Sequence, residues 1–260
     1  MNYLCGKLSE VHRYFIRLSF NGKNYHGWQM QKNAVTVQQV VTEAVSLVLR
    51  HPVEITGCGR TDTGVHAEEY FAHFDSEKEI TDSGCGRLAQ KLNSFLPGDI
   101  AIQSVFKVPA DAHARFSATR RTYQYHISRS KDPFSREFSL YYAGPLDVLK
   151  MNRGAKTLKE FTDFSCFSRS HTQTKTNDCK IFDARWKEAN DMLVFTITAD
   201  RFLRNMVRAI VGTLLEMGRG KITEKGLREI ILSKNRSRAG KSVAAQGLFL
   251  TRVKYPKYIF

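Results

Sequence analysis

The sequence predicts an α+β fold of two βαββαβ (ferredoxin-like) halves, residues 1–110 and 111–260, joined through a mostly antiparallel sheet. Three observations carry that expectation. Short runs alternate apolar and polar residues with the period of two that a half-buried strand requires. Between them lie runs with apolar residues at helical spacing, opened or closed by capping residues. The same order of elements then recurs, although no residue-level repeat accompanies it.

In chain order, Arg13–Phe20 alternates through Tyr14, Ile16, Leu18 and Phe20 and reads as a strand. Thr36 opens a helix, with Gln39 three residues on as the second member of a capping box. Its apolar stripe is Val37, Val40, Val41, Ala44, Val45 and Val48. Val53–Cys58 and Glu69–Phe74 read as two strands. Leu88, Leu92 and Phe95 mark a second helix that Pro97-Gly98 ends, and Ile100–Val108 is the last strand of this half. In the second half, Tyr123–Ile127 is a strand and Leu146–Leu158 has helical spacing. Ile181–Trp186 and Leu193–Thr198 are strands, Phe202–Met217 is a strongly apolar helix, and Leu248–Val253 closes as a strand.

The apolar fraction of 42% is that of a globular chain with a core, not of a disordered or fibrous one. The 40 Lys and Arg against 25 Asp and Glu leave a net charge of +15, which points to a polyanionic partner, because each neutralised phosphate releases counterions. No apolar run approaches the roughly 20 residues of a spanning helix, so no membrane role is expected. Cys5, Cys58, Cys85, Cys166 and Cys179 form no C-x-x-C pair, which fits reduced thiols in the cytoplasm rather than a disulfide framework or zinc ribbon. Cys166, His171 and Cys179 have no metal-ligand spacing, so no metal is expected. Residues 1–12 hold no apolar core of a secretion signal.

The segment Gly57-Cys58-Gly59-Arg60-Thr61-Asp62-Thr63-Gly64-Val65-His66-Ala67 lies between two apolar strands. Its glycines allow tight turns and close backbone approach to a ligand. From the residues alone, Asp62 is equally an acid that meets a substrate or the cap of a connecting turn. Arg201, Arg204 (or Asn205) and Arg208 recur three and four residues apart, which puts them on one side of the apolar helix. By itself that reads as a solvated basic face.

The glycine-rich segment resembles the G-R-T-D-x-G-V-H-A active-site motif of the TruA family of tRNA pseudouridine synthases. Further blocks follow in the family's order. Asn24-Tyr25-His26-Gly27-Trp28-Gln29 is similar to its Y-x-G-W-Q, and Leu96-Pro97-Gly98-Asp99-Ile100 to its L-P-x-D-I. His113–Ala118 with Arg121, Tyr123 and Tyr125 is similar to H-A-R-F-S-A-x-x-R-x-Y-x-Y. Phe202–Gly212 is similar to F-L-x-x-M-V-R-x-I-V-G, and Gly247-Leu248 to the final G-L. The likeness runs from about residue 13 to 255. Three departures stand out: Asn21 where the family has Asp, Thr63 where it has Ala, and no proline in Gly240–Gln246.

The resemblance implies the pseudouridine synthase fold, uridine-to-pseudouridine isomerisation in the tRNA anticodon stem-loop (positions 38, 39 and 40), and a homodimer. It makes Asp62 catalytic, sets Arg208 beside it as the cation that keeps it ionised, and puts Tyr123 under the uracil and Leu248 on the apolar wall. Arg60 is expected to touch RNA phosphate or hold the flipped nucleotide. The reaction breaks N1–C1′, turns the uracil and joins C5 to C1′. No atom is gained or lost, so neither a metal nor a small-molecule cofactor is required. Attack on C1′, addition to C6 and removal of the 2′ proton all remain open to a carboxylate. A non-catalytic RNA binder has no use for an acid facing polyanionic RNA. A glycosidase of the usual kind needs two carboxylates, and a nuclease usually a cluster of metal-binding acids.

Overall fold

The computed structural model describes residues 11–169 and 176–260. Cys5 and His171 lie outside them. Among the described residues the strands are β1 (His12–Phe20), β2 (Thr56–Gly57), β3 (His66–Ser76), β4 (Ile100–Val108), β5 (Arg120–Ser128), β6 (Leu140–Tyr141), β7 (Ile181–Ala189), β8 (Met192–Ala199) and β9 (Leu248–Lys254). The α-helices are α1 (Val37–Leu49), α2 (Asp82–Phe95), α3 (Val148–Thr157), α4 (Met206–Gly218) and α5 (Glu224–Leu232).

All the strands join one sheet in the order β4-β1-β3-β9-β5-β8-β7, with β2 on β3 and β6 on β5. With β6 set aside, both halves share one strand order, β4-β1-β3-β2 and β9-β5-β8-β7. The recurrence of elements in the sequence is therefore also a recurrence of topology. Pairing is antiparallel except for β5–β6 and for the seam between the halves. At that seam β3 and β9 run parallel over only two registers, His66↔Phe249 and Ala67↔Leu250. Beyond it, the Glu69 carboxylate accepts the Val253 N–H at 2.9 Å, in place of a strand carbonyl.

Besides the short unpredicted β6, three elements differ from expectation. The strand over Val53–Cys58 shrinks to Thr56–Gly57, because the backbone before it bonds to α1 instead. The Val53 N–H donates to Ser46 Oγ at 3.0 Å and the Ile55 carbonyl accepts from Gln38 at 2.7 Å. The helix over Phe202–Met217 starts only at Met206. Asn205 adopts φ 66, a left-handed conformation that Asn tolerates, and its amide donates to Ser242 Oγ at 2.6 Å. The third is α5, which the basic composition of its region hid. Thr223 caps it by accepting from the Gly226 N–H, and Leu227, Ile230 and Ile231 bury its inner face. At α1, Thr36 accepts from the Gln39 N–H at 3.3 Å, but Gln39 turns to Glu43, so the box is half made.

The core divides in two. One cluster gathers residues from β1, α1, β3, α2 and β4 with Leu250, Val253 and Ile259; the other gathers β5, α3, β7, β8, α4 and α5 with Val65 and Leu248. Each cluster borrows from the far side of the seam, and Tyr123 packs against both. No helix among the described residues is long and apolar enough to cross a membrane.

Buried and part-buried histidines contribute to the acid sensitivity of the fold. His73 Nδ1 accepts the Ala114 N–H at 3.2 Å. Burial, then the repulsion of Arg13 and His113, pushes its pKa down to about 4. Burial is also the first cause that lowers His66, His113 and His126. Each binds its proton more weakly folded than unfolded, so this stability is fully present above about pH 6.5 and drains away as pH falls toward about 4. We expect the urea midpoint at pH 5 to lie below that at pH 7.5, and His73→Gln to narrow the gap. A midpoint that rose on acidification would contradict the assignment.

Candidate active site

Asp62 sits in the loop that connects β2 to β3, and neighbouring segments fix that loop from several sides. The Trp28 N–H donates to Thr61 Oγ1 at 3.0 Å, and the Gly64 N–H to the Tyr25 carbonyl at 3.3 Å. Gly27 makes this approach possible. It adopts φ +82, and a Cβ there would stand 2.2 Å from the Thr61 carbonyl oxygen. Below the loop Trp28 stacks on Tyr70 at 4.2 Å, and the Tyr70 hydroxyl donates to the Gly59 carbonyl. A Val65 N–H to Asp62 carbonyl bond of 3.1 Å closes the turn. The Asp62 carboxylate accepts none of these bonds, which leaves it available to a substrate.

What the carboxylate meets comes from the other half. Arg208 Nη1 lies 3.6 Å from Asp62 Oδ2, and Arg204 Nε lies 3.8 Å from Oδ1. Arg208 stands in the first turn of α4, and its Nε donates to the Val243 carbonyl at 2.7 Å. The Val243 N–H donates back to the Arg208 carbonyl at 3.2 Å. The segment that carries Val243 crosses α4 at Gly212, where a Cβ would stand 1.8 Å from the Lys241 carbonyl oxygen. Thr213 Oγ1 accepts the Gly240 N–H at 2.9 Å, and Arg236 donates to Ser242 Oγ at 2.9 Å. The glycine of the helix signature is thus the crossing point of a strap that holds Arg208.

The helical face expected for Arg201, Arg204 and Arg208 does not exist, since α4 begins after the first two. Arg204 reaches Asp62 from the turn before the helix. The spacing argument therefore missed Arg204 as a second cation on the carboxylate, and only the left-handed Asn205 brings it there.

Tyr123 lies on β5 at a register break against β9, between Thr122 and Tyr123. Its ring meets Phe202 edge-to-face at 5.1 Å, an aromatic neighbour that the sequence reading did not single out. Burial above all, then the nearby Cys58 and Asp62, raises the pKa of its hydroxyl, against Arg121. The hydroxyl stays protonated and can donate. Tyr125 is a core residue, fully buried, with its hydroxyl on the Ala244 carbonyl at 2.9 Å. Leu248 is buried at the start of β9, opposite Tyr125.

Arg60 is exposed, two residues before Asp62 in the same loop. Arg115 feels a crowd of cations: burial first, then Arg60, Arg121 and Arg201, lowers its pKa. Two arginines near the site turn to backbone carbonyls instead of solvent. Arg121 donates to the carbonyls of Cys58, Asp200 and Arg115 at 2.8, 2.8 and 2.7 Å, and so ties the Asp62 loop to the second half. Arg129 likewise donates to the Tyr142 and Gly144 carbonyls.

His66 is a second tie. Its Nδ1 accepts the Gly22 N–H at 3.1 Å while Nε2 meets the Gln246 carbonyl at 3.1 Å, a pairing that the neutral Nε2–H ring satisfies. Asn21 accepts the Lys23 N–H at 3.0 Å, so its carboxamide caps this turn without a carboxylate. Cys58 is buried, and burial pushes its thiol up to about 11, which disarms it as a nucleophile. Cys166 and Cys179 are buried too, and burial pushes both up to about 12.

Residues 161–256 match the family model described as tRNA pseudouridine synthase. The chain is 52% identical to the tRNA pseudouridine synthase A of Parabacteroides distasonis over 250 residues, which cover 96% of this chain and 98% of that one. It is 51% identical to the protein of that name from Bacteroides fragilis, over 96% and 99% of the two chains. For Clostridium acetobutylicum the identity is 38%, over 92% and 98%. With likeness at this level along nearly all of both chains, and an acid, two arginines and a tyrosine gathered at one loop, the protein belongs to the tRNA pseudouridine synthase A family.

Proposed function

We propose that this family member isomerises uridine to pseudouridine at positions 38, 39 and 40 of the tRNA anticodon stem-loop, with Asp62 as its catalytic residue. The observation that carries the reading is the contact of 3.6 Å between Asp62, on the loop of one half, and Arg208, on a helix of the other. A carboxylate that must work next to RNA needs such a counterion, because desolvation and nearby phosphates both favour its neutral form. The target base leaves its stack at a cost of a few kcal/mol and is received by an aromatic surface. In this reading Tyr123 lies under the uracil, Leu248 forms the apolar wall, and Arg60 holds the phosphate backbone or the flipped nucleotide. The division into halves 1–110 and 111–260, a homodimer that RNA spans, and a cytoplasmic place of work belong to the same proposal.

The test uses purified protein and unmodified tRNA tritiated at uridine C5, with a chelator present. Tritium release from an intact strand is expected. Strand cleavage, free uracil, or binding without release would overturn the assignment and leave the nuclease, glycosidase or RNA-binder reading respectively.

A further inference from the structure

The two cations on Asp62 are held differently. Arg208 is pinned: its Nε is spent on the Val243 carbonyl, and its side chain is 22% exposed. Arg204 is loose: its side chain is 58% exposed, and its nearest approach to Asp62 is through Nε, at 3.8 Å. Among the described residues no other acceptor meets its guanidinium. Its backbone, by contrast, is fixed. The Arg204 carbonyl accepts the Arg169 N–H at 3.2 Å, and Asn205 is locked in the left-handed turn and tied to Ser242. The residue is a firm pivot with a free arm.

The charges around it are unbalanced. One carboxylate faces two guanidiniums, while Arg60 and Arg201 stand close enough to Arg115 to repel it. An exposed ion contact as long as this one is weak. A phosphate offers the same arginine two charge-assisted hydrogen bonds in the fork geometry that guanidinium matches. RNA that brings a phosphodiester to the mouth of the site therefore outcompetes Asp62 for Arg204 but not for Arg208.

We infer that Arg204 is a substrate-positioning residue that swings from Asp62 Oδ1 to a phosphate of the target nucleotide when RNA binds, leaving Arg208 as the counterion of the reacting carboxylate. This rests on the proposed role of Asp62 and deepens it.

The experiment compares wild type, Arg204→Ala, Arg204→Gln and Arg204→Lys on unmodified tRNA. It measures affinity across a salt series and single-turnover rate across pH at saturating enzyme. Loss of one phosphate contact should weaken binding about tenfold in the Ala and Gln variants. The slope of log affinity against log salt should shrink by about 0.7 to 0.9. The loss should fall mainly on affinity, with a smaller fall in the rate at saturation and no shift in the midpoint of its pH profile. Arg204→Lys keeps the charge, so it should restore the salt slope and only part of the affinity. Unchanged affinity and slope would overturn the inference. So would unchanged affinity with a lower saturating rate and a displaced pH profile, since Arg204 would then stay on Asp62 through the reaction. Thermal melts of all three variants check the fold. A wild type that binds tRNA but releases no tritium would remove the proposed function, and the variant affinities would still decide whether Arg204 holds phosphate.

Discussion

Asp62→Asn is expected to lower the single-turnover rate by roughly 10⁴ or more while leaving tRNA affinity intact or slightly improved. Asparagine keeps the shape of the side chain and removes only its charge and its power as nucleophile or base. Stability should hardly change. Among the described residues the carboxylate anchors no backbone group, and its two ion contacts are 3.6 and 3.8 Å long. Affinity should not fall, because the change removes a negative charge from a surface that meets RNA. Rates, filter-binding affinities and melting midpoints of the two proteins check all three statements. If rate and affinity fell together, or if the melting midpoint dropped by many degrees, Asp62 would be a structural residue and the catalytic reading would be lost.

Arg208→Met carries the second largest expected effect, a fall in rate of roughly 10² to 10³, the scale for removing one preorganised electrostatic partner. Here stability should suffer too. The guanidinium uses one edge for the Val243 carbonyl and the other for Asp62, so methionine leaves a partly buried carbonyl without its donor. That costs about 1–3 kcal/mol. Arg208→Lys makes the sharper comparison. An ammonium keeps the charge but has no second arm, so it cannot hold Val243 and face Asp62 at once. Less than about a tenth of wild-type rate should return. Full activity in Arg208→Lys would mean that charge alone suffices and that the strap across α4 plays no part.

Much of the fold was legible in the sequence because its signals are local. The period of two in Tyr14, Ile16, Leu18 and Phe20, the Thr36 cap and the apolar stripe of α1 all depend on neighbours within a few positions. Where reading failed, the cause was long-range. Val53 and Ile55 look like strand residues, but their backbone partners sit on a helix that no local pattern names. Phe202–Asn205 looks helical, but the chain turns at left-handed Asn205, whose amide bonds Ser242, 37 residues away. The site divides in the same way. The motif around Asp62 is contiguous and readable. Its meeting with Arg208 was an implication of family likeness, and its meeting with Arg204 was not readable, because it depends on the left-handed turn. The role of Arg121 was equally unreadable, because the three backbone carbonyls that claim it lie on segments distant in sequence or in a loop.

The seam between β3 and β9 has a consequence for the birth of the enzyme. Translation reaches β9 after every other strand of the described sheet, and β9 supplies the two paired registers that bring the halves together. On a ribosome-bound chain that lacks those residues, the Asp62 loop and α4 are already synthesised but have no strand to align them. The meeting of Asp62 with Arg208 therefore waits for the last strand of the described sheet to pair, a late step in the assembly of the chain.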